Sequence, residues 1–134
     1  EIRNPGKEAV VLTGVAFTRG VYFQFPDGAT LEPGGHTVVA ADPKAFKTRY
    51  GFKPAGKYIR SLSNNGETVI LSDALSNEID SVTFKDKAPW PSEADGSGRS
   101  LSRVDAAKSG DGNDPKNWKA SREKGGTPGR KNAL

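Results

Sequence analysis

The residues able to do chemistry are few and scattered. The chain has one histidine, His36, and no cysteine. Without cysteine there is no thiolate nucleophile, thiolate metal site or disulfide. Nucleophilic catalysis needs a nucleophile, a base, an orienting group and a pocket. His36 follows Gly34-Gly35 at the start of an apolar run, where it reads as a surface turn residue, and no catalytic residue is assigned. Gly34-Gly35 lacks the strand, loop and helix context and the following lysine of a phosphate cradle. Carboxylates make a better case. Asp105, Asp111, Asn113 and Asp114 are hard oxygen donors that could hold calcium. Their spacing departs from the helix–loop–helix calcium pattern, and turn or capping duty explains them as well. Glu93 and Asp95 read as turn residues, and Glu67 as a side chain bonding to local backbone. No cofactor is called for beyond possible calcium.

The formal net charge is +4 over 134 residues. Residues 1–113 hold 14 Lys/Arg and 14 Asp/Glu, so the excess lies in the C-terminal stretch. There Lys116, Lys119, Arg122, Lys124, Arg130 and Lys131 face only Asp114 and Glu123. Such a stretch can contact phosphates or an acidic surface. With only Trp118 interleaved and a Gly/Pro-rich end, it reads better as a solvated basic linker over 125–134. No apolar run reaches the length of a membrane helix, so membrane insertion is not expected. The chain starts at Glu1 and lacks methionine. It therefore reads as a piece of a longer protein.

These residues need a frame, and the pattern supplies an all-β one. Sixteen glycines and nine prolines punctuate short apolar runs. Val21, Phe23 and Phe25 alternate with Tyr22 and Gln24, the signature of a half-buried strand. In Glu67–Ser72, Val69 and Leu71 share one face and Thr68 and Ile70 the other. Val82 and Phe84 share a face of the next strand. Ile79 is three residues from Val82, so it points outward or a bulge re-aims it. Asp73–Asn77 suits a hairpin loop. Trp90, locked between Pro89 and Pro91, should plug one end of a core shared by Val69, Leu71, Val82, Phe84 and Leu101. The one helix is expected near 42–50. Asp42 caps it, Pro43 opens it, Phe46 and Tyr50 share a face, and Gly51 stops it. This order points to a β-sandwich with Greek-key connections over 1–124.

Several blocks then resemble, in order, those of the lamin tail domain family, in its bacterial branch. They are Glu1-Ile2-Arg3-Asn4-Pro5-Gly6, Phe25-Pro26-Asp27-Gly28 and Leu31-Glu32-Pro33-Gly34-Gly35. Leu62-Ser63-Asn64-Asn65-Gly66-Glu67, Ala88-Pro89-Trp90-Pro91 and Asp95-Gly96-Ser97-Gly98-Arg99-Ser100-Leu101 follow. Asp114-Pro115-Lys116-Asn117-Trp118 and Gly126-Thr127-Pro128-Gly129 complete the set. The resemblance implies an immunoglobulin-like sandwich. It also implies a non-catalytic accessory module of a larger exported or cell-surface bacterial protein, engaged in binding, anchoring or spacing. A protein or a cell-surface glycan is the expected ligand class. One alternative is a nucleic-acid or chromatin-contacting domain, by analogy with nuclear lamins. Another is a calcium-dependent binding module. Two departures stand out. The family usually begins with a hydrophobic strand before the position of Glu1, which predicts an incomplete N-terminal edge open to self-association. Val15 stands where many members carry tryptophan, which predicts a smaller plug at that end of the core.

Overall fold

The computed structural model describes residues 1–105 and 110–134. Twelve short strands and one α-helix occur among them. The largest sheet is antiparallel, with the order β10 (Glu78–Phe84), β9 (Glu67–Ser72), β3 (Ala16–Arg19) and β4 (Phe23–Gln24). Two-stranded ladders complete the fold. β1 (Ile2–Arg3) pairs with β6 (His36–Thr37), and β2 (Val10–Val11) with β5 (Thr30–Leu31). β7 (Val39–Ala40) runs parallel to β8 (Gly56–Lys57), and β11 (Arg99–Arg103) pairs with β12 (Trp118–Lys124).

The core lies where the large sheet faces the small ladders. Leu12, Val15, Phe17, Val21, Phe25 and Leu31 form its buried centre, with Phe23, Val69 and Leu71 from one side and Ile2, Val39 and Tyr58 from the other. The 21–25 alternation is as expected: Val21 and Phe25 are buried, and Tyr22 and Gln24 are exposed. Phe23 meets Phe25 edge to face at 5.0 Å, a favoured ring geometry. Val15 is buried in this cluster, so a small side chain does fill that position.

The expected core membership needs correction. Val69 and Leu71 pack on the core, but Val82 and Phe84 are only half-buried because β10 is the outer strand of its sheet. Trp90 is 6% exposed, yet it lies outside the central cluster. Its ring stands 6.2 Å from that of Trp118, so the two indoles make a satellite cluster beneath the β11–β12 ladder. The register slips between Glu78 and Asp80, and Ile79 in that slip is 53% exposed, so the bulge turns Ile79 outward.

The helix, α1 (Pro43–Tyr50), begins and ends as its sequence dictates. Asp42 Oδ1 accepts from the backbone N–H groups of Lys44 and Ala45, satisfying two otherwise orphan donors. Gly51 closes it at φ 81°, a conformation that glycine adopts without steric cost. Phe46 and Tyr50 meet at 4.7 Å on one face. The hairpin loop at 73–77 is also as expected: Asp73 N–H donates to Asn77 O at 2.8 Å and Ser76 N–H to Asp73 O at 3.0 Å.

The basic C-terminal segment is irregular after Lys124, and it folds back onto the domain where a solvated linker was expected. Thr127 is 4% exposed, and its hydroxyl donates to Lys131 O. Arg122 N–H donates to Ala133 O, and Asn132 Nδ2 donates to Arg103 O. Tyr50 Oη donates to Gly125 O from the helix side. Gly and Pro here permit a folded-back path rather than a free one.

Candidate binding surfaces

The residues singled out for chemistry serve mainly as structural fasteners. His36 is not a turn residue. It lies in β6, half-buried and paired opposite Arg3, and Gly34-Gly35 forms the preceding turn. That turn is held by Asn4, whose N–H donates to Gly35 O while its carbonyl accepts from Gly34 N–H. Gly35 N–H also donates back to Glu32 O.

Asp111, Asn113 and Asp114 share one turn, and each spends an oxygen there. Asp111 Oδ1 accepts from Asn113 N–H and Asp114 Oδ1 from Lys116 N–H. Asn113 Oδ1 accepts from Thr83 N–H on β10, which ties the turn to the large sheet. Trp118 Nε1 donates to Gly112 O. Asp105 lies exposed past the end of β11. Among the described residues, no three His, Asp or Glu side chains gather as a metal site would require. Glu67 Oε1 accepts from Thr68 N–H, a local backbone bond. Glu93 lies in a single-turn helix (Ser92–Ala94), directly before Asp95.

The most strongly perturbed carboxylate is one the sequence reading did not single out. Asp73 accepts from the Asn77 side chain, from Asn77 N–H and from Leu75 N–H. Those donors, the Asn77 side chain foremost, hold its pKa below the ordinary carboxylate value. Its role is to clamp a hairpin.

Two concave regions remain. A groove of about 690 Å³ runs beside β1, lined by Ile2, Val38, Leu71, Ile79, Leu101 and Trp118 among others. An open polar hollow of about 500 Å³ is lined by Thr18, Arg19, Tyr22, Arg60, Ser61 and Glu67 among others. Neither arginine of this hollow was foreseen as a site residue. The Arg60 guanidinium lies over the Tyr22 ring, 5.0 Å from its centroid. By contrast, several guanidiniums near the basic C-terminal segment are occupied. Arg103 pairs with Asp80 at 3.0 Å and Arg130 with Glu123 at 3.1 Å. Arg99 Nη1 donates to the carbonyls of Ser121 and Arg122.

The model of the lamin tail domain matches residues 1–86. No curated protein and no solved structure matches the chain. With that match over more than half its length, and with the all-β architecture above, the chain belongs to the lamin tail domain family, whose members are non-enzymatic immunoglobulin-like domains.

Proposed function

We propose that this domain is a non-catalytic accessory module of a larger exported or cell-surface bacterial protein, and that it acts by binding or by spacing. One observation supports the reading above others. Several of the chain's carboxylates are spent on the scaffold. Asp42, Asp73, Asp111 and Asp114 each accept backbone N–H groups of their own loops. A frame that invests its carboxylates in loop rigidity is suited to presenting surfaces, and binding residues tend to lie on loops held this way.

The test is a domain exchange in the protein that carries it. Removing residues 1–134 should change surface retention or ligand capture while leaving any neighbouring catalytic activity intact. Replacement by an unrelated immunoglobulin-like module of equal size should restore function if the role is spacing, and should not if the role is binding. Turnover of ester, glycoside or phosphoester substrates by the isolated domain would overturn the reading.

A second reading rests on charge. Lys116, Lys119, Arg122, Lys124 and Lys131 are all exposed near the β11–β12 ladder. Nucleic-acid contact through them would weaken steeply with salt. Self-association is proposed through the edge of β1, which borders the 690 Å³ groove and its apolar residues Ile2, Leu71 and Leu101. Sedimentation over a range of concentrations tests it: a rising mass would support it, and a constant monomer would exclude it.

A further inference from the structure

Two separate departures from regular backbone bring two arginines to one hollow. The first is in β3. Its pairing with β9 slips between Phe17 and Arg19, so Thr18 is the extra residue of a bulge. A bulge re-aims the side chains around it. The chain then passes through Gly20 at φ 81°, where a Cβ would lie 2.8 Å from Thr68 O, so only glycine fits and Arg19 is held at this point. The second departure is Arg60. It follows the bridge in which Tyr22 and Ile59 exchange both N–H···O bonds at 3.0 Å. Arg60 itself takes φ 67°, a left-handed conformation that costs a side-chain-bearing residue energy. Strain of this kind persists only where the surrounding structure over-determines it, and it clusters at functional sites.

The hollow's chemistry is specific. Neither Arg19 nor Arg60 has an ion-pair partner among the described residues, so both guanidiniums keep donors for an anion. Glu67, which spends Oε1 on Thr68 N–H, can accept from a ligand hydroxyl, and Ser61 lies exposed in the same lining, while the Thr18 hydroxyl is already paired with Ser72 Oγ at 3.0 Å. Tyr22, Ile59 and Leu62 are exposed nearby and offer apolar contact to a ring's C–H face. A simple anion would have no use for Glu67, whose charge repels it. A ligand with an oxyanion and neighbouring hydroxyls uses every group.

We infer that the hollow formed by Arg19, Tyr22, Arg60 and Glu67 binds an acidic carbohydrate, the two arginines taking its carboxylate or phosphoester and Glu67 a ring hydroxyl. This rests on the reading of the domain as a binding module, and it names the site and the ligand class.

The experiment is an amide-shift titration of the isotope-labelled domain with four probes. Trigalacturonate carries carboxylates and hydroxyls, and glucose 6-phosphate a phosphoester and hydroxyls. Triglutamate carries carboxylates alone, and maltotriose hydroxyls alone. At least one of the first two should shift the amides of residues 18–22, 59–61 and 67, and which one does so assigns the oxyanion. Triglutamate and maltotriose should not do so at the same concentrations. R19Q and R60Q should each weaken binding about tenfold or more, the scale of a lost charge-assisted hydrogen bond. R60G separates function from fold. Glycine suits φ 67°, so the melting temperature should hold or rise while binding falls as far as in R60Q. The inference is overturned if neither acidic sugar shifts these amides, or if triglutamate binds equally well. Shifts confined to Lys119–Lys124, or an R60G variant that melts lower and binds normally, would also overturn it. Any of these failures would leave the domain-exchange result untouched.

Discussion

Replacing Asn4 by alanine should be among the most costly single polar changes in the domain. Asn4 is 4% exposed, and every polar atom it has is bonded. Its Nδ2 donates to Glu8 O at 2.7 Å and to Leu31 O at 2.9 Å, and its Oδ1 accepts from Gly6 N–H at 2.9 Å. Its backbone holds the Gly34-Gly35 turn at both N–H and C=O. Alanine keeps the backbone bonds and loses the three side-chain bonds. At about 1 kcal/mol each, with more for the buried Leu31 carbonyl, the loss is roughly 3–4 kcal/mol. That is a large share of the ~5–15 kcal/mol that stabilises a typical domain, and it corresponds to a fall of roughly 10 °C or more in melting temperature. Chemical denaturation should show a lower midpoint with an unchanged slope. Asn4→Asp is the informative companion. It keeps the acceptor for Gly6 but turns a carboxylate toward two carbonyl oxygens, so it should be at least as damaging as alanine despite its near-identical shape. If Asn4→Ala costs less than about 1 kcal/mol, the three-bond account is wrong, because one ordinary hydrogen bond is worth that much.

Three further outcomes follow from the same structure. Trp90→Ala should cost roughly 3–5 kcal/mol as a large-to-small change in a packed cluster; in a Trp118→Phe background, Trp90 fluorescence should resist acrylamide, and free quenching would contradict its burial. Asp73 should titrate below the ordinary carboxylate range, because its hydrogen bonds favour the charged form. Its folded pKa is lowered, so its contribution is present above the unfolded pKa and is lost as pH falls through the folded one. Protection of the Leu75 and Asn77 amides should follow that curve, and a normal Asp73 midpoint would refute the clamp. Calcium should leave the melting temperature unchanged relative to chelator, since Asp111 and Asp114 already spend oxygens on their own turn; a rise would make them ligands.

Local features were legible in the sequence because their causes are local. Asp42, Pro43 and Gly51 bound the helix with their own side chains and dihedrals. Asp73–Asn77 closes its hairpin through bonds inside the loop. The 21–25 alternation needs only a pleated strand. The family blocks add order to these pieces. What could not be read was decided by pairing at long range. That β10 is an outer strand, and so cannot bury Val82 and Phe84 fully, depends on what else joins the sheet. Trp90 was rightly expected to be buried, but its neighbour Trp118 is 28 positions away. The C-terminal segment has linker composition, and its docking depends on partners as distant as Arg103 and Tyr50. The two-arginine hollow was equally hidden. Arg19 and Arg60 are brought together by the Tyr22–Ile59 bridge, and the one local hint was a glycine directly after Arg19.

The central claim is that this domain binds without transforming what it binds. The most direct measurement is a one-day spectroscopic record of the domain mixed with whichever of trigalacturonate and glucose 6-phosphate shifts the amides around Arg19 and Arg60, following protein and ligand signals together. The account predicts a saturable, localised shift at those amides and a ligand spectrum unchanged at the end. Cleavage or conversion of the ligand, or the absence of any such shift with either sugar, would contradict it.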